Sequence, residues 1–508
     1  MKTIRIEQTV KYVGTLILTV TLFACLALVL TACFDNNKNT DSKTNDYAKV
    51  ESGVNERTGP NIIFFLADDQ DVYDYGCYGN EKVKTPAVDR LAREGMLFEN
   101  AFTGQAICAP SRSQIFSGKY PLKNGCFANH IAVKPNLESV TKHMRKLGYE
   151  VVLAGKSHVQ PSKVFDWDKE WEPIPKEGLP RDYIPLDSIE NYFKKVKKPF
   201  CMFITSKYPH GKYFEVENAN ADDIKFYPFN ENKKSDKSFV KFKAGYYRSI
   251  EEDNTQLEKV LQLVDDYLND NTLFIYSADH GVSGKFSVKD IGLKVPFVVR
   301  WPNVIKAGAK SSQLIHYTDV LPTFMDIAGG KATEEMDGKS FLPLLKGVNL
   351  EIHDYVYGVR TNQNILIPFV FPSRMIRDKR YKYCRNFNSL EVLDKNLGDK
   401  PNVNVFIRRG AMAFKDEPFE ELYDLQNDPF EQNNLVKQIE YQEVKNRLVK
   451  EMFIWMEEQG DFLNEKSGNM PIITAKNTKL DENSSRRTIP DSLIGTLNKE
   501  DYLVIEHW

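Results

Sequence analysis

The stretch "NIIFFLADD", residues 61–69, indicates the fold class of this chain. Its apolar residues 62–67 follow one another without a break, and two acids, Asp68 and Asp69, come directly after them. A short continuous apolar run is typical of a strand that is buried on both faces of a sheet. Strands of that kind occur in parallel sheets covered by helices, so the stretch predicts an α/β protein.

Further strands and helices alternate along the chain, as a parallel sheet requires. Apolar runs predict strands at 150–154, 197–210, 272–281 and 295–302. Helical patterns lie between them; one has Thr85 as its expected N-cap, Pro86 as its first helical residue and Gly95 at its end. We therefore expect a mostly parallel sheet with helices on both faces, within a large α/β domain over 58–345.

The pattern changes after residue 345. Segments such as "YVYGVRT" and "SRMIRDKRYKYCRNF" have the texture of short strands and turns, and 442–460 reads as an amphipathic helix. These features predict a smaller C-terminal α+β subdomain with a short antiparallel sheet, and 346–508 comprises that subdomain and a tail. The tail from about 465 shows little pattern.

Composition and charge narrow the classes of partner. The chain has 508 residues, of which 42% are hydrophobic, and a net charge of -2. Basic and acidic residues are interleaved without a basic stripe, which argues against nucleic acid as a partner.

The N-terminus has the features of an export signal. Basic residues precede an uncharged apolar run at 13–30, and "LTAC" ends at Cys33. This ending resembles the bacterial lipobox, which implies a signal peptide over 1–32, a lipid on Cys33 and a flexible polar tether over 33–57. Phe34 follows Cys33, so we expect an outer-membrane or cell-surface anchor, with the periplasmic side as a further option. An uncleaved membrane anchor is the alternative, and either places the chain outside the cytoplasm.

Seven cysteines are present, and five lie beyond the signal and the lipobox: Cys77, Cys108, Cys126, Cys201 and Cys384. Their odd number and irregular spacing argue against a disulfide scaffold, and the pairing of the others stays open. Cys108 opens "CAPSRSQIF", a candidate helix start. It is a buried apolar thiol, half of a disulfide, or a reactive residue whose pKa a helix N-terminus lowers.

Polar side chains follow four predicted strands at the points where the strands end. They are Asp68 and Asp69, Lys156 and His158, His210, and Asp279 and His280. Ligands of α/β sheets bind beyond these strand ends, so we expect one shared site. Three carboxylates repel one another unless a cation lies between them, and oxygen ligands suit Ca²⁺ or Mg²⁺. Arg112 and Lys285 add positive charge, which indicates a site for a tetrahedral anion.

The segment "CAPSR", residues 108–112, matches C-x-P-S-R and resembles the type I sulfatases of the alkaline-phosphatase superfamily. The segments "ADD", "AGKSH", "YPH", "SADHG" and "GKFSVKDIGLKVP" occur in the order of that family, and the resemblance spans most of the chain. Within the family, the sequence is most similar to carbohydrate sulfatases, including the heparan N-sulfatase (sulfamidase)-like group. The resemblance implies an alkaline-phosphatase-like fold in which 58–345 is the catalytic domain.

The resemblance also implies roles for individual residues. A maturation enzyme would oxidise Cys108 to formylglycine, the nucleophile and a calcium ligand. The remaining calcium ligands would be Asp68, Asp69, Asp279 and His280, and the family often has Asn at the last of these positions. Arg112 would steady the formylglycine, Lys156 and His158 would bind sulfate or shape the nucleophile, His210 would protonate the leaving oxygen, and His130 would contact substrate. Lys285, eleven residues before Pro296, is the expected active-site lysine, whereas Lys294 is expected to be structural.

These expectations describe an exported, lipid-anchored sulfatase that acts on sulfated polysaccharides or their oligosaccharides. The aromatic residues of "WDKEW" (167–171) and "YPHGKYF" (208–214) either offer faces to sugar rings or pack the loops. O-sulfate is favoured over N-sulfate, and the sugar stays open. Two alternatives remain: a phosphodiester or phosphonate monoester hydrolase of the same superfamily, and a non-catalytic glycan-binding surface lipoprotein.

Overall fold

A nine-stranded sheet, with the first strand near its middle, organises the protein. The computed structural model describes residues 59–364, 367–396, 410–463, 471–475 and 503–507. The expected signal peptide, the lipidation site Cys33 and the tether lie outside the described residues. Within the described part of the chain, no helix is both long and apolar enough to cross a membrane.

The large sheet combines a parallel part with a mixed part. Its strands are β1 (Asn61–Asp68), β2 (Met96–Phe102), β3 (Glu150–Gly155), β4 (Lys169–Trp171), β5 (Phe200–Pro209), β6 (Thr272–Ala278), β7 (Lys294–Val295), β8 (Phe297–Arg300) and β9 (Ala309–His316). The order is β4-β3-β5-β1-β6-β8-β2-β7, and β9 also pairs with β2. The strands from β4 to β6 are all parallel, whereas β8 runs antiparallel to both β6 and β2. The expected mostly parallel sheet is confirmed.

The α-helices of the described chain include α1 (Pro86–Glu94), α2 (Cys108–Ser117), α3 (Pro121–Asn124), α4 (Val140–Lys146), α5 (Leu186–Phe193), α6 (Lys237–Tyr267), α7 (Asp290–Leu293), α8 (Val320–Ile327), α9 (Leu342–Leu345), α10 (Leu390–Asn396) and α11 (Gln442–Glu458). Helix α1 begins at Pro86, whose fixed φ suits the first helical position, and ends before Gly95. Thr85 stands at its N-cap without a capping bond. Its hydroxyl instead accepts from the Gly76 N–H.

Strand β1 has a hydrophobic core on each of its faces. Ile62, Phe64 and Leu66 belong to one cluster of buried residues, and Ile63, Phe65 and Ala67 to another. All six are fully buried. Because successive side chains of a strand point to opposite faces, this division is the direct consequence of the unbroken apolar run. Helix α2 contributes Ile115 and Phe116 to the first core, and α6 contributes Leu257 and Leu261 to the second.

A four-stranded antiparallel sheet follows in the C-terminal part of the chain. Its strands are β10 (Val356–Asn364), β11 (Ile367–Arg377), β12 (Tyr381–Asn386) and β13 (Glu420–Asp424), in that order. Helix α11 packs on it through Leu448 and Met452. The tail, in which the sequence showed little pattern, contains one more antiparallel pair, β14 (Pro471–Ala475) and β15 (Leu503–His507).

Buried ion pairs connect the segment around α7 to the antiparallel sheet. Asp290, the first residue of α7, pairs with Arg377 of β11 and with Lys382 of β12, the latter at 2.8 Å. Its neighbour Lys289 pairs with Glu421 of β13. Losing one partner of a buried pair leaves an uncompensated charge, so these contacts hold the two sheets together.

Asp253 is a buried acid of α6 that faces the large sheet. Its side chain is 1% exposed, and Oδ2 accepts a hydrogen bond of 3.3 Å from the Tyr276 hydroxyl on β6. Its other carboxylate oxygen has no partner among the described residues. Burial therefore raises the pKa of Asp253 from 3.8 to about 7.

We predict that Asp253→Asn stabilises the protein more at pH 7.5 than at pH 5. Because the folded pKa lies above the unfolded one, the folded chain binds the proton more tightly, and its stability falls as the pH rises toward 7. The difference in unfolding free energy between variant and parent should grow by roughly 2–3 kcal/mol over this range. Thermal unfolding of both proteins at the two pH values measures it, and an unchanged difference would contradict the assignment.

Candidate active site

The pairing of β1 with β6 places three carboxylates together at one edge of the sheet. Ala67 lies opposite Ala278 in the parallel register, so the acids that follow each strand are neighbours. The Asp69 N–H donates to Asp279 Oδ1 over 3.0 Å. Asp69 itself adopts a left-handed backbone with a φ of 64°, which turns the chain away at the strand end. Asp68, Asp69 and Asp279 are all buried.

Cys108 is the first residue of α2 and reaches this acidic cluster. Its Sγ lies 3.8 Å from Asp69 Oδ1, 3.5 Å from His280 Nε2 and 3.8 Å from Lys285 Nζ. The five described cysteines are free, so Cys108 is not half of a disulfide within the described chain. Although it is buried, ionisable groups surround its sulfur, an environment unlike that of an apolar core thiol.

Cationic side chains surround the three acids. Arg112, in the second turn of α2, donates to Asp279 Oδ2 at 3.1 Å and to Asp68 Oδ1 at 3.3 Å. Lys156 Nζ lies 2.5 Å from Asp68 Oδ2. Burial works to raise the pKa of Asp68, but Lys156 and Arg112 outweigh it and hold that pKa well below its usual range. Asp68 is therefore ionised in this site, whereas burial, followed by the charge of Asp68, raises the pKa of Asp279.

Lys285 and His280 provide the positive charge next to Asp69. Lys285 Nζ donates to Asp69 Oδ2 at 2.7 Å and to Oδ1 at 3.0 Å, and His280 Nε2 lies 3.0 Å from Oδ1. Burial alone would lower the pKa of Lys285, but Cys108 and Asp69 raise it above its ordinary value. Lys294, by contrast, lies on β7 near Asp290 and Arg377, and burial lowers its pKa to about 8.

A pair of histidines stands beside Lys156. His158 comes two residues after Lys156, at the end of β3, and its Nε2 lies 3.4 Å from His130 Nδ1. Burial, followed by the charge of Lys156, lowers the pKa of both rings. Both imidazoles are therefore neutral near pH 7. His158 Nδ1 is buried without a hydrogen-bond partner among the described residues.

His210 directly follows β5 and faces the acids with one ring nitrogen. Its Nε2 lies 3.5 Å from Asp69 Oδ2. The opposite nitrogen, Nδ1, lies 2.7 Å from the Gly211 carbonyl oxygen and 2.9 Å from Arg181 Nη2. Both neighbours occupy the Nδ1 side, which leaves Nε2 as the nitrogen that can exchange a proton in the site.

Sequence reasoning missed three contacts that shape the site. Arg181 lies in an irregular loop far from His210 along the chain, and no motif marks it. Asp71 accepts from the Ser283 N–H at 2.9 Å and from the Ser283 hydroxyl at 2.5 Å, and so ties the loop after β1 to the loop that carries Lys285. Asn129 Oδ1 accepts from the Ala109 N–H at the start of α2. Of these contacts, only the one made by Asp71 had a signal in the sequence, because Asp71 is the third acid of "DDQD" (residues 68–71).

The aromatic residues of "WDKEW" and "YPHGKYF" have different surroundings. Tyr208 is fully buried, and its hydroxyl donates to the Arg181 carbonyl. Trp167 packs edge-on against Phe116 of the core, with 5.3 Å between ring centroids. Trp171 ends the edge strand β4. Packing accounts for the ring of Tyr208, whereas Trp167 also lines a cavity of about 470 Å³ together with His130 and His158.

The residues at this edge could hold a metal ion. Ligand atoms of Asp69, Cys108 and His280 lie within 4.8 Å of one another, and so do those of Asp68, Cys108 and Asp279. Three buried carboxyl groups, those of Asp68, Asp69 and Asp279, form the oxygen-rich donor set that a hard divalent cation prefers. Such a cation beside Lys156, Lys285 and Arg112 would make a site that binds a tetrahedral anion next to a proton donor.

Comparisons with known proteins agree with this chemistry. A family model described as Sulfatase matches residues 60–330, and one described as N-sulphoglucosamine sulphohydrolase, C-terminal, matches residues 278–407. An "Ulvan-active sulfatase" of Formosa agariphila is 69% identical over 493 residues, covering 96% of this chain and 99% of that protein.

Solved structures share the fold. A protein solved in complex with its substrate, D-glucosamine-2-N,6-O-disulfate, superposes with a TM-score of 0.62 at 20% identity, covering 80% of this chain and all of that one. A phosphonate monoester hydrolase of Agrobacterium radiobacter superposes with a TM-score of 0.63 at 18% identity, covering 85% and 100% of the two chains. Together with the extent of the family match, these findings lead to one conclusion: the chain belongs to the sulfatase family, and it is a sulfuric ester hydrolase.

Proposed function

We propose that this enzyme removes sulfate esters from a sulfated polysaccharide, or from its oligosaccharides, outside the cytoplasm, and that ulvan is its polymer. The site around Cys108 supports sulfate ester hydrolysis, because one buried cluster combines a position for a nucleophile, ionised carboxylates and cations. The relative at 69% identity, named for its activity on ulvan, supports the choice of polymer.

Conversion of Cys108 to formylglycine is part of the proposal. "CAPSR" has the family's pattern, and the thiol is free and stands at a helix start, where partial positive charge favours an oxyanion. Formylglycine would supply a hydroxyl oxygen as the nucleophile toward sulfur. Arg112 holds the first turns of α2 against the acids through its bonds to Asp68 and Asp279, which fixes the nucleophile position.

Calcium is the proposed metal, held by Asp68, Asp69, Asp279, His280 and the modified Cys108. The oxygen-rich donor set fits a hard cation, and His280 is its one nitrogen donor. When bound, calcium would supply the positive charge that binds and polarises a sulfate oxygen. The chain adds Lys156 and Lys285, whose ammonium groups lie at the same acids and can donate to the remaining sulfate oxygens.

His210 is the proposed general acid. Hydrolysis breaks the bond between sulfur and the sugar oxygen, and that oxygen needs a proton as it leaves. With Nδ1 engaged by the Gly211 carbonyl and Arg181, Nε2 is the nitrogen that would deliver this proton. The neutral pair of His130 and His158, beside Lys156, would contact the bound substrate without adding charge.

The location of the enzyme in the cell is proposed from the sequence. Lipid on Cys33, with the polar tether behind it, would keep the enzyme at the outer membrane or cell surface, where polymers and their fragments are encountered. A formylglycine-generating enzyme is the partner that maturation requires.

The first prediction concerns the two modified cysteines. Mass spectrometry of protein purified from its native host should show the Cys108 peptide about 18 Da lighter than the thiol form, since its oxidation state is part of the mechanism. The same digest should give an acylated N-terminal peptide that begins at Cys33. Cys108→Ala should abolish sulfate release and keep the unfolding temperature. Full activity from an unmodified thiol would refute the proposal.

The second prediction separates metal binding from anion binding. Asp69→Asn should lose both calcium, measured by elemental analysis, and at least about 100-fold in kcat/KM. Lys285→Met should retain calcium but lose turnover to a similar degree, because it removes a donor to the sulfate group. The matched variant Lys294→Met, which lacks another lysine of the same segment, should keep both. Activity that survives thorough chelation would contradict the metal assignment.

The third prediction concerns the substrate. Matured enzyme should release sulfate from ulvan oligosaccharides with a kcat/KM at least about 100-fold above that for an aryl sulfate, since sugar contacts contribute binding energy to the reaction. A phosphodiester, a phosphonate monoester and an N-sulfated glucosamine, assayed in parallel, test the rival chemistries. Preferred turnover of the phosphodiester or the phosphonate monoester would favour the alternative function of a phosphorus ester hydrolase. The phosphonate monoester hydrolase superposes on this chain with a TM-score of 0.63.

A further inference from the structure

A second concave surface lies at the opposite edge of the parallel strands from the active site. We call it the basal groove. It has a volume of about 1110 Å³, and the residues that line it include Arg145, Glu150, Asp168, Lys169, Trp171, Tyr192, Lys195, Lys197 and Lys198. They come from the end of α4, the start of β3, the edge strand β4, the end of α5 and the loop before β5.

The length of the strands separates the basal groove from the active site. Strand β5 begins at Phe200, two residues after Lys198, and His210 directly follows its last residue, Pro209. Ten residues of extended strand span about 30 Å at 3.3 Å per residue. Strand β3 likewise begins at Glu150, in the groove, and ends next to Lys156. The three lysines near the start of β5 are therefore far from the catalytic cluster, whereas Trp171, which lies opposite Ala154 in the register of β3 and β4, is the part of the groove nearest to Lys156.

The acids of the groove are already neutralised. Glu150 pairs with Lys169 at 2.5 Å and also accepts from the Tyr192 hydroxyl at 2.8 Å. Asp168 pairs with Arg145 at 2.7 Å. These contacts leave no carboxylate of the lining without a cation or a donor, so the remaining charge of the groove is positive.

Three lysines supply that remaining charge. Lys195, Lys197 and Lys198 are exposed, and among the described residues their ammonium groups form no ion pair within 4.0 Å, although Lys198 interacts electrostatically with Glu150. Their neighbour Lys194 differs, since it pairs with Glu190 at 2.7 Å. A protein with a net charge of -2 thus concentrates three unpaired positive charges within four residues at one groove.

An aromatic wall stands beside these charges. The Trp171 ring is half-buried and packs edge-on against Tyr192, with 5.7 Å between ring centroids. This contact fixes the indole on the edge strand, with part of its surface open to the groove. A rigid aromatic surface next to cations offers an apolar platform for a ring together with partners for its anionic groups.

We propose that the basal groove is a second binding site for an anionic polysaccharide, one that bears sulfate or carboxylate groups and lies apart from the active site. The lysines would bind the anionic groups, and Trp171 would pack against a sugar ring. A concave groove admits a linear chain, whereas a flat anionic bilayer would reach only its rim. The proposal goes beyond the proposed function, because binding at this groove requires no turnover.

The test measures polymer binding in an inactive background. Cys108→Ala protein would be titrated with ulvan of defined length at low salt, and its affinity compared with that of the same protein carrying Lys195→Gln, Lys197→Gln and Lys198→Gln. We expect at least a tenfold loss of affinity and a weaker dependence on salt, since fewer counterions are released. Trp171→Ala should weaken binding with the salt dependence unchanged.

A matched control removes the same charge elsewhere. Lys233, Lys234 and Lys237 are also three exposed lysines within five residues, and their replacement by Gln should leave the affinity within about twofold. In the active enzyme, the groove variants should turn over a small sulfate ester at the parent rate but lose activity on long polymer.

Three results would overturn the proposal. They are equal polymer affinity of the parent and the groove variant, an equal loss in the control variant, and binding of anionic lipid vesicles through these lysines without binding of polysaccharide. Because both proteins in the binding assay carry Cys108→Ala and the same active site, a difference between them reports on the groove and not on turnover.

Discussion

The mutual repulsion of three buried carboxylates is the constraint on which this site depends. Asp68, Asp69 and Asp279 meet because β1 and β6 are parallel neighbours in register, and no shift of the loops alone could separate them. Each acid then needs positive charge. Arg112, Lys156, Lys285 and His280 supply it from three segments of the chain: α2, the loop after β3 and the loop after β6. The requirement for neutralisation thus gathers the donors that an anionic substrate needs.

The four histidines of the site lie in different electrostatic environments. His280 lies between two acids, which raise its pKa against the effect of burial, and it belongs to the acidic cluster. His130 and His158 lie on the side of Lys156, where burial and positive charge keep them neutral. His210 is held at Nδ1 and presents only Nε2. One residue type thus occurs in three settings that differ in the charges and hydrogen-bond partners around the ring.

Sequence alone was sufficient for the architecture and for most members of the cluster. Long apolar runs specify buried strands, and the polar residues after them must lie at one edge, which is why Asp68, Lys156, His210 and Asp279 could be grouped in advance. No comparable sequence pattern predicts that β8 runs antiparallel or that the tail contains a pair of strands. Arg181 and the bridge from Asp71 to Ser283 depend on contacts between segments distant along the chain, which a single sequence does not encode locally. The roles assigned to the site residues, and the domain boundary near 345, stay predictions.

The ion pairs between α7 and the C-terminal sheet limit how such an enzyme can evolve. Lys289 and Asp290 belong to the segment that also carries Lys285, and their partners lie on β11, β12 and β13. The segment that supplies a lysine to the active site is therefore anchored in the smaller sheet. Although the chain can be divided near residue 345 on architectural grounds, the two parts are not interchangeable modules. A recombination event that replaced one without the other would separate buried charges from their partners, so the two parts are expected to be inherited together.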